Sequence, residues 1–472
     1  MRTIALRFGY VVGSVALIFC ALGAPGAAAE DWARFRGPNG SGLSAGTTLP
    51  ASFDTEGALV WSAAVPFGRS SPAVAPDRMF LTGMAADRLV TLAVARESGE
   101  ILWWRSLERE RAATLHPATD SSTPSPVTDG ENVYAFFQEM GLVSYDSEGE
   151  ERWRLPLGPF RNYYGMAASP ILVGELVIVL CDQAGGSFLL AVDKTSGEEV
   201  WRQDRASRRE SYSTPVVFPD AVDPRMILVS GSKHLDAYDP KSGANLWTVA
   251  GLGAGPVASP VVAGDQVFVV APNHSEEPLE PFDGMLSAMD ADDDGRLAAE
   301  EMADHWAAPH FGWVDFDGDG WLTAGDWSAL GEETMAEGWG LFAISLAAGE
   351  AAPEVTWNHR QNASYIPTPI VVDGVIYMIK DSILTSLDAA TGEVIERGRV
   401  GAKKVYASPV AAGDRLLISS LEGQLSVVQT GQDWEIISTH ELEEEIFAAP
   451  ALADGKVYVR TRGRLLAFAG SP

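Results

Sequence analysis

Two acidic runs hold the side chains best suited to chemistry. The first contains Asp290, Asp292, Asp294, Gly295, Arg296, Leu297 and Glu301; the second contains Asp315, Asp317, Asp319, Gly320, Trp321, Leu322 and Asp326. Each is a twelve-residue span with carboxylates at positions 1, 3, 5 and 12 and glycine at position 6. That spacing suits a hard cation. Calcium takes about six to eight oxygens, and carboxylates at alternate positions converge on it as the chain wraps round, the glycine permitting the bend. The backbone carbonyl at position 7, that of Arg296 or Trp321, adds an oxygen, and the carboxylate at position 12 closes the shell. Glu301 is long enough to give two oxygens, whereas Asp326 is a methylene shorter and is expected to reach less well. Leu297 and Leu322, both at position 8, are expected to join the two loops through a short strand contact.

These runs match the EF-hand loop pattern at its defining positions, apart from aspartate at the end of the second. They lie in a stretch near 274–338 whose composition is acidic and helix-compatible, unlike the Val/Ile/Leu-rich chain on either side. Calcium is therefore the expected cofactor. Extracellular modules of this kind bind it with Kd of roughly 10⁻⁴–10⁻³ M, which suits a structural ion better than a signal.

The elements that carry this stretch repeat. A small residue followed by proline and an apolar strand recurs at Pro72, Pro126, Pro170, Pro215, Pro260, Pro369, Pro409 and Pro450, at intervals of 54, 44, 45, 45, 109, 40 and 41 residues. Glycine followed four residues later by tryptophan ends five units, at Trp61, Trp103, Trp153, Trp201 and Trp247. A period in the forties with about four short strands per unit is propeller spacing. The 109-residue interval exceeds its neighbours by about 64, which places the acidic stretch inside the fifth unit. The last unit lacks an outer strand, and residues 58–66 form an orphan one; pairing them completes an eighth blade and removes two free sheet edges. The expected fold is all-β, an eight-bladed β-propeller with a small α-helical EF-hand insertion in the fifth blade. The domain order is a leader at 1–29, an N-terminal arm at 30–57, propeller at 58–273, insertion at 274–338 and propeller again at 339–472.

The units Asp193…Ser196-Gly197…Trp201 and Asp239…Ser242-Gly243…Trp247 resemble the quinoprotein, or PQQ-like, propeller repeat. That repeat occurs in quinoprotein alcohol dehydrogenases and in the propeller lipoprotein of the outer-membrane barrel-assembly machinery, and the likeness covers nearly all of 57–470 outside the insertion. The opening from Asp31 to Gly40, the segment from His116 to Pro126, and Arg205 with the run to Pro215 resemble exported bacterial PQQ-like proteins. The resemblance implies the fold. A quinone-dependent dehydrogenase would also be implied to carry an adjacent cysteine pair beneath its cofactor and a funnel calcium site; this chain has only Cys20 and Cys181, and its recognisable calcium ligands sit in the insertion. PQQ is accordingly not expected.

Compartment follows from the first residues. Arg2 and Arg7 precede an apolar run from Tyr10 to Ala24 and small residues at Ala27–Ala29, the order of a secretory leader too short to span a bilayer. Phe19 stands before Cys20 where lipidation needs a small residue. Removing 1–29 moves the net charge from −30 to −32, which argues against nucleic acid and anionic lipid as partners and suits cations or basic partners. A soluble periplasmic or secreted monomer is expected. Near the central funnel, Tyr163, Tyr164, Tyr212, Tyr365, Tyr406 and Phe447 cluster with Arg69, Arg161, Arg208, Arg209, Lys403 and Lys404. They either cover strand ends or bind an anionic or planar ligand. His116 reads as a satisfied loop histidine. The residues favour a non-catalytic scaffold that holds a protein or other envelope macromolecule through funnel loops. A PQQ-dependent oxidoreductase, and small-ligand or carbohydrate binding in the funnel, are the alternatives.

Overall fold

The computed structural model describes residues 32–109, 111, 116–272, 278–334, 338–346 and 353–470. The leader expected at 1–29, Cys20 included, lies outside the described residues. Eight sheets follow one another along the chain, one to each repeat, each built on four antiparallel strands and one of them extended by a fifth, parallel strand from the N-terminal arm. Blade 1 runs from Ala73 to Glu108, blade 2 from Val127 to Pro156, blade 3 from Ile171 to Asp204 and blade 4 from Val216 to Ala250. Blade 5 runs from Val261 to His359, blade 6 from Ile370 to Arg399 and blade 7 from Val410 to Glu441. Blade 8 takes three strands from Ala451 to Ala469, and its fourth is Leu59–Ala64, paired antiparallel so that Ser62 lies opposite Leu466. The eight-bladed propeller is thus the observed fold, and apolar clusters lie between blades: Ile178 and Ala191 of blade 3 pack with Val217, Ile227 and Val229 of blade 4.

The small residue before each proline has a physical cause. It begins the innermost strand, and its hydroxyl accepts a hydrogen bond from the backbone N–H of the equivalent residue one blade earlier. Ser71 N donates to Ser125 Oγ (2.8 Å), Ser125 N to Ser169 Oγ (3.0 Å), Ser169 N to Thr214 Oγ1 (3.0 Å) and Thr214 N to Ser259 Oγ (3.2 Å). Ser259 N then donates to Thr368 Oγ1 and Thr368 N to Ser408 Oγ, both at 3.0 Å. The inner strands leave their first N–H groups without ladder partners, and buried donors must be satisfied. At the eighth position Ala449 has no hydroxyl, and the chain of bonds stops there.

A second device joins the outer strands. Four of the repeat indoles cross to the next blade: Trp61 Nε1 donates to Arg96 O (2.9 Å), Trp103 Nε1 to Ser147 O (2.8 Å), Trp153 Nε1 to Lys194 O (3.0 Å) and Trp201 Nε1 to Pro240 O (3.2 Å). The indole lies flat under that blade's turn glycine. At Gly197 φ is 74°, and a Cβ there would fall 2.5 Å from the Trp153 ring. Only glycine accepts both conditions. The aspartate of the motif folds the same turn, Asp193 Oδ1 accepting from Thr195 N and Ser196 N. Trp357 performs this role for blade 5, donating to Ala389 O at 3.1 Å, although no glycine stands four residues before it.

The N-terminal arm threads the axis. Trp32 and Arg36 are fully buried. Arg34 Nη2 donates to Pro215 O in blade 4, while the Arg36 guanidinium reaches Thr368 O and Pro369 O beside blade 6. Leu43–Ser44 then pairs in parallel with Val410–Ala412, the inner strand of blade 7. Among the described residues, no helix is long and apolar enough to cross a membrane.

Between the second and third strands of blade 5 lie α1 (Phe282–Met289), α2 (Phe311–Val314) and α3 (Ala324–Thr334). They enclose their own small core of Phe282, Met285, Leu297, Met302, Val314, Leu322, Trp327 and Leu330. Leu297 and Leu322 are fully buried and exchange both backbone hydrogen bonds, at 2.9 and 2.8 Å.

Candidate functional site

The first acidic run follows α1. Asp290, Asp292 and Asp294 bring carboxylate oxygens within 4.8 Å of one another, with Asp290 half-buried and the other two exposed. Backbone N–H groups hold the loop open toward them: Gly295 N donates to Asp290 Oδ2 at 2.9 Å, and Arg296 N to Asp294 Oδ1 at 3.1 Å. Glu301 stands apart from that cluster. Its oxygens accept from Ala291 N (2.8 Å) and Ala298 N (2.7 Å), so it clamps the two ends of the loop together. Residues 299–304 form turns rather than a helix, so Glu301 is not carried inward by an exiting helix. The Arg296 side chain complicates the site. Its Nε donates to Asp294 Oδ2 (2.8 Å), which holds that carboxyl below the usual range, and its guanidinium stacks 3.7 Å from the Trp321 ring of the other loop.

The second run links α2 to α3, and here the closing residue does join the cluster. Asp315, Asp317 and Asp326 bring oxygens within 4.8 Å of one another, and Asp315 and Asp326 are buried. Asp326 sits in the first turn of α3, which points it into the loop, where Phe316 N (3.0 Å) and Thr323 N (2.9 Å) donate to its oxygens. Helix position therefore compensates for the missing methylene. Asp319 lies outside the cluster and accepts from Trp321 N at 2.9 Å.

This second loop rests on the propeller. Arg209, from the loop leading into blade 4, places its guanidinium 3.2 Å from the Phe316 ring centroid and donates to Trp313 O at 3.0 Å. The Trp313 indole donates to the Glu210 carboxylate, and Glu210 also accepts from Tyr163 N at 2.9 Å. Beneath this contact Arg205, Asp182 and Asp236 form a fully buried ion network, with Arg205 2.7 Å from Asp182 and 2.9 Å from Asp236. Arg208 caps it through Asp236 at 2.9 Å.

The funnel opens beside the docked insertion. Its cavity of about 490 Å³ has the serine and threonine ring and Phe35 of the arm among its lining residues. Tyr164, Tyr212, Tyr365, Tyr406 and Phe447 line its sides, together with Arg69 and Lys404. Burial pushes the hydroxyls of Tyr212 and Tyr365 well up, so both stay neutral. Arg69 lies 4.1 Å over the Phe447 ring and 3.7 Å from Asp120, while Lys404 lies 4.8 Å over Tyr406. Of the sequence-derived funnel set, Tyr163 and Arg161 face an adjoining cleft, Arg208 and Arg209 are engaged as above, and Lys403 does not line the cavity. His116 takes the role expected of a loop histidine: Ala118 N donates to its Nδ1 at 3.0 Å, and burial and Arg69 lower its pKa. The buried arginines of the arm escaped the sequence reasoning. The regular spacing of Trp32, Arg34 and Arg36 at alternate positions is the signal that could have found them.

The propeller fold is widely shared. BamB from Moraxella catarrhalis superposes with a TM-score of 0.54 at 16% identity, over 87% of this chain and 98% of that one. A europium-containing methanol dehydrogenase superposes with a TM-score of 0.62 at 9% identity, over 93% and 98%. These likenesses show the fold alone. In sequence, the outer membrane protein assembly factor BamB of Alkalilimnicola ehrlichii is 29% identical over 178 residues, which is 37% of this chain and 42% of that protein. The chain thus spans less than half the length of that relative. The family model described as outer membrane protein assembly factor BamB matches residues 41–185 and 185–470, and the chain belongs to that family of PQQ-like propellers.

Proposed function

We propose that this chain is an exported, non-catalytic propeller scaffold that holds a protein of the cell envelope on its funnel face, with the insertion acting as a calcium-binding EF-hand module. The observation that carries the scaffold reading is the filled axis. The arm occupies it with Trp32, Phe35 and Arg36, so the funnel is a bowl rimmed by Tyr406, Phe447 and Arg69 rather than a deep site. Half-buried aromatics beside cations are the kind of side chain that anchors protein interfaces. The name carried by the family and by the 29%-identical relative points to the same kind of role. The calcium reading is supported by the two carboxylate clusters and by the paired Leu297–Leu322 contact.

Quinone oxidation competes for the same bowl, and the donor set weighs against it. Asp381 is the one carboxylate among the described residues lining the cavity, and Cys181 is buried in blade 3. A bound quinone would find hydroxyls there, but its metal would find a single carboxylate among the described residues. Two experiments separate the readings. Capture from the native envelope fraction should retain a partner on the wild type and lose it on the double variant Tyr406→Ala/Phe447→Ala; equal capture by both would remove the funnel face as the docking surface. Dye reduction with added PQQ, calcium and alcohols or sugars should stay at background, and saturable PQQ-dependent turnover would favour the enzyme.

A further inference from the structure

A second cavity, also of about 490 Å³, lies in the cleft between the insertion and the loops that precede blades 2 and 3. Its walls come from both bodies. Tyr163 of the propeller stands 4.2 Å from the His310 ring and 5.0 Å from the Trp313 ring of the insertion, and His116 lies 5.5 Å behind Tyr163. Arg161 provides the charge. Its guanidinium is wedged between two glycines: a Cβ at Gly185 would fall 2.6 Å from Nη2, and one at Gly318 2.5 Å from Nη1. The arginine head thus lies directly over both glycines, in space that a side chain at either position would share with it. That guanidinium makes no hydrogen bond or ion pair with any described residue, in a protein whose net charge is −30. Among the described residues the one acid lining the cleft, Glu139, is already held by Arg109 through two hydrogen bonds of 2.6 Å. Burial lowers the pKa of His116 and of His310, so at neutral pH both present uncharged rings.

A half-buried cation without a counterion, beside stacked rings in a cavity of ligand size, is what an anionic ring compound requires. Small-ligand pockets run about 300–1,000 Å³, apolar for the most part with a few placed polar groups. Guanidinium and carboxylate share a planar, two-pronged geometry. We propose that this cleft binds a ring-bearing carboxylate, with Arg161 taking the carboxylate and Tyr163, His310 and Trp313 the ring, and that a cation in the second loop tightens the binding. The coupling half rests on the calcium reading above. Gly318, against which Arg161 lies, is the fourth residue of the second loop, between Asp317 and Asp319. The loop carboxylates make no ion pair with the guanidinium, but without an ion their negative charge disfavours an anionic ligand beside it. A divalent cation neutralises them and leaves Arg161 to face the cleft. Linkage then requires the ligand to raise cation affinity by the same factor.

Such a carboxylate could belong to a uronic acid sugar or to an aromatic acid. Calorimetric titration of the full mature chain with galacturonate oligosaccharide and with phenylpropionate, in calcium and in chelator, distinguishes them. One of the two should bind saturably with calcium present, and several-fold more weakly without it. Arg161→Gln should weaken that binding by roughly tenfold or more, with the calcium isotherm retained, and Arg161→Lys should restore part of it. Tyr163→Ala, checked by near-ultraviolet circular dichroism for retained packing, should also weaken it. No saturable binding of either probe, or equal binding by wild type and Arg161→Gln, overturns the site. Binding that depends on Arg161 but is the same in calcium and chelator overturns only the coupling. No calcium heat at all would remove the EF-hand reading, and the Arg161 comparison in chelator would still decide the anion site.

Discussion

The two acidic loops share one sequence pattern and the same backbone bonds to their first and closing carboxylates, and differ in burial and in what packs against them. The first projects into solvent, its closing Glu301 lies outside the carboxylate cluster, and Arg296 occupies one of its carboxylates. The second has two buried carboxylates, a closing Asp326 fixed in the first turn of α3, and a propeller arginine against its Phe316. By side-chain length alone the first should be the better cation site. Position reverses the order. A carboxylate held near its partners needs no reorganisation when the ion arrives, whereas an exposed one must give up solvent and side-chain freedom. A motif thus specifies which atoms are available, and the surrounding packing decides how ready they are.

The largest expected contrast is in local stability. Asp315 accepts from Gly318 N (2.7 Å) and Gly320 N (3.0 Å) while buried, so Asp315→Ala removes two hydrogen bonds to a buried charged group. At about 1.5 kcal/mol for each bond to a charged group, the second loop should lose roughly 3 kcal/mol. Asp290→Ala, half-buried and solvated, should cost the first loop about 1 kcal/mol. Hydrogen exchange of both loops in chelator measures this without contribution from an ion. Equal losses would show that the two settings are energetically alike.

Ion affinity comes next. Asp326→Asn should weaken the tighter calcium site by about tenfold, while Glu301→Gln should leave that site unchanged and alter only the weaker one. For a site of ~0.1 mM affinity at ~1 mM calcium, occupancy contributes roughly 1.4 kcal/mol, enough to tighten the insertion without deciding whether the propeller folds. A titration in which Glu301→Gln removes the tighter site would restore the order that side-chain length implies.

This contrast marks where sequence reasoning reaches and where it stops. The blades were legible because each repeat writes its own contacts. The hydroxyl before Pro126, the indole at Trp153 and the glycine at Gly197 recur at fixed spacing, since each joins one blade to the next in the same way. Trp357 was not legible, because it does the same work after a different turn. The acidic loops were legible as ligand sets. Their inequality was not, because it depends on Arg209 meeting Phe316, a contact between segments that share no repeat and lie more than a hundred residues apart. The same holds for the arm, whose Arg36 meets carbonyls of blade 6 only once the ring has closed.

That distant contact can be removed. Arg209→Ala deletes a guanidinium stacked on Phe316 and bonded to Trp313 O, an interaction of about 1–2 kcal/mol for a partly desolvated cation–π contact. Exchange in 311–334 should speed up by roughly tenfold, with 282–301 unaffected. If both halves of the insertion loosen together, they behave as one body and the second loop has no separate brace.

The smallest effect tests the first loop's handicap. Arg296 contributes in two opposed ways. Its backbone carbonyl is in position to serve as a ligand, while its side chain bonds Asp294 at 2.8 Å and so competes with the ion for that carboxylate. Its guanidinium also stacks on Trp321, which links the loops. Arg296→Met keeps the carbonyl and an apolar stem for the indole, and removes the competing charge. Because the ion pair is exposed, the change should be modest, about a two- to three-fold rise in calcium affinity at the first loop, shrinking further at high salt. The second loop should not respond. Unchanged or weaker affinity at the first loop would mean that the stack on Trp321 outweighs the competition for Asp294, and that Arg296 braces the pair of loops more than it blocks one of them.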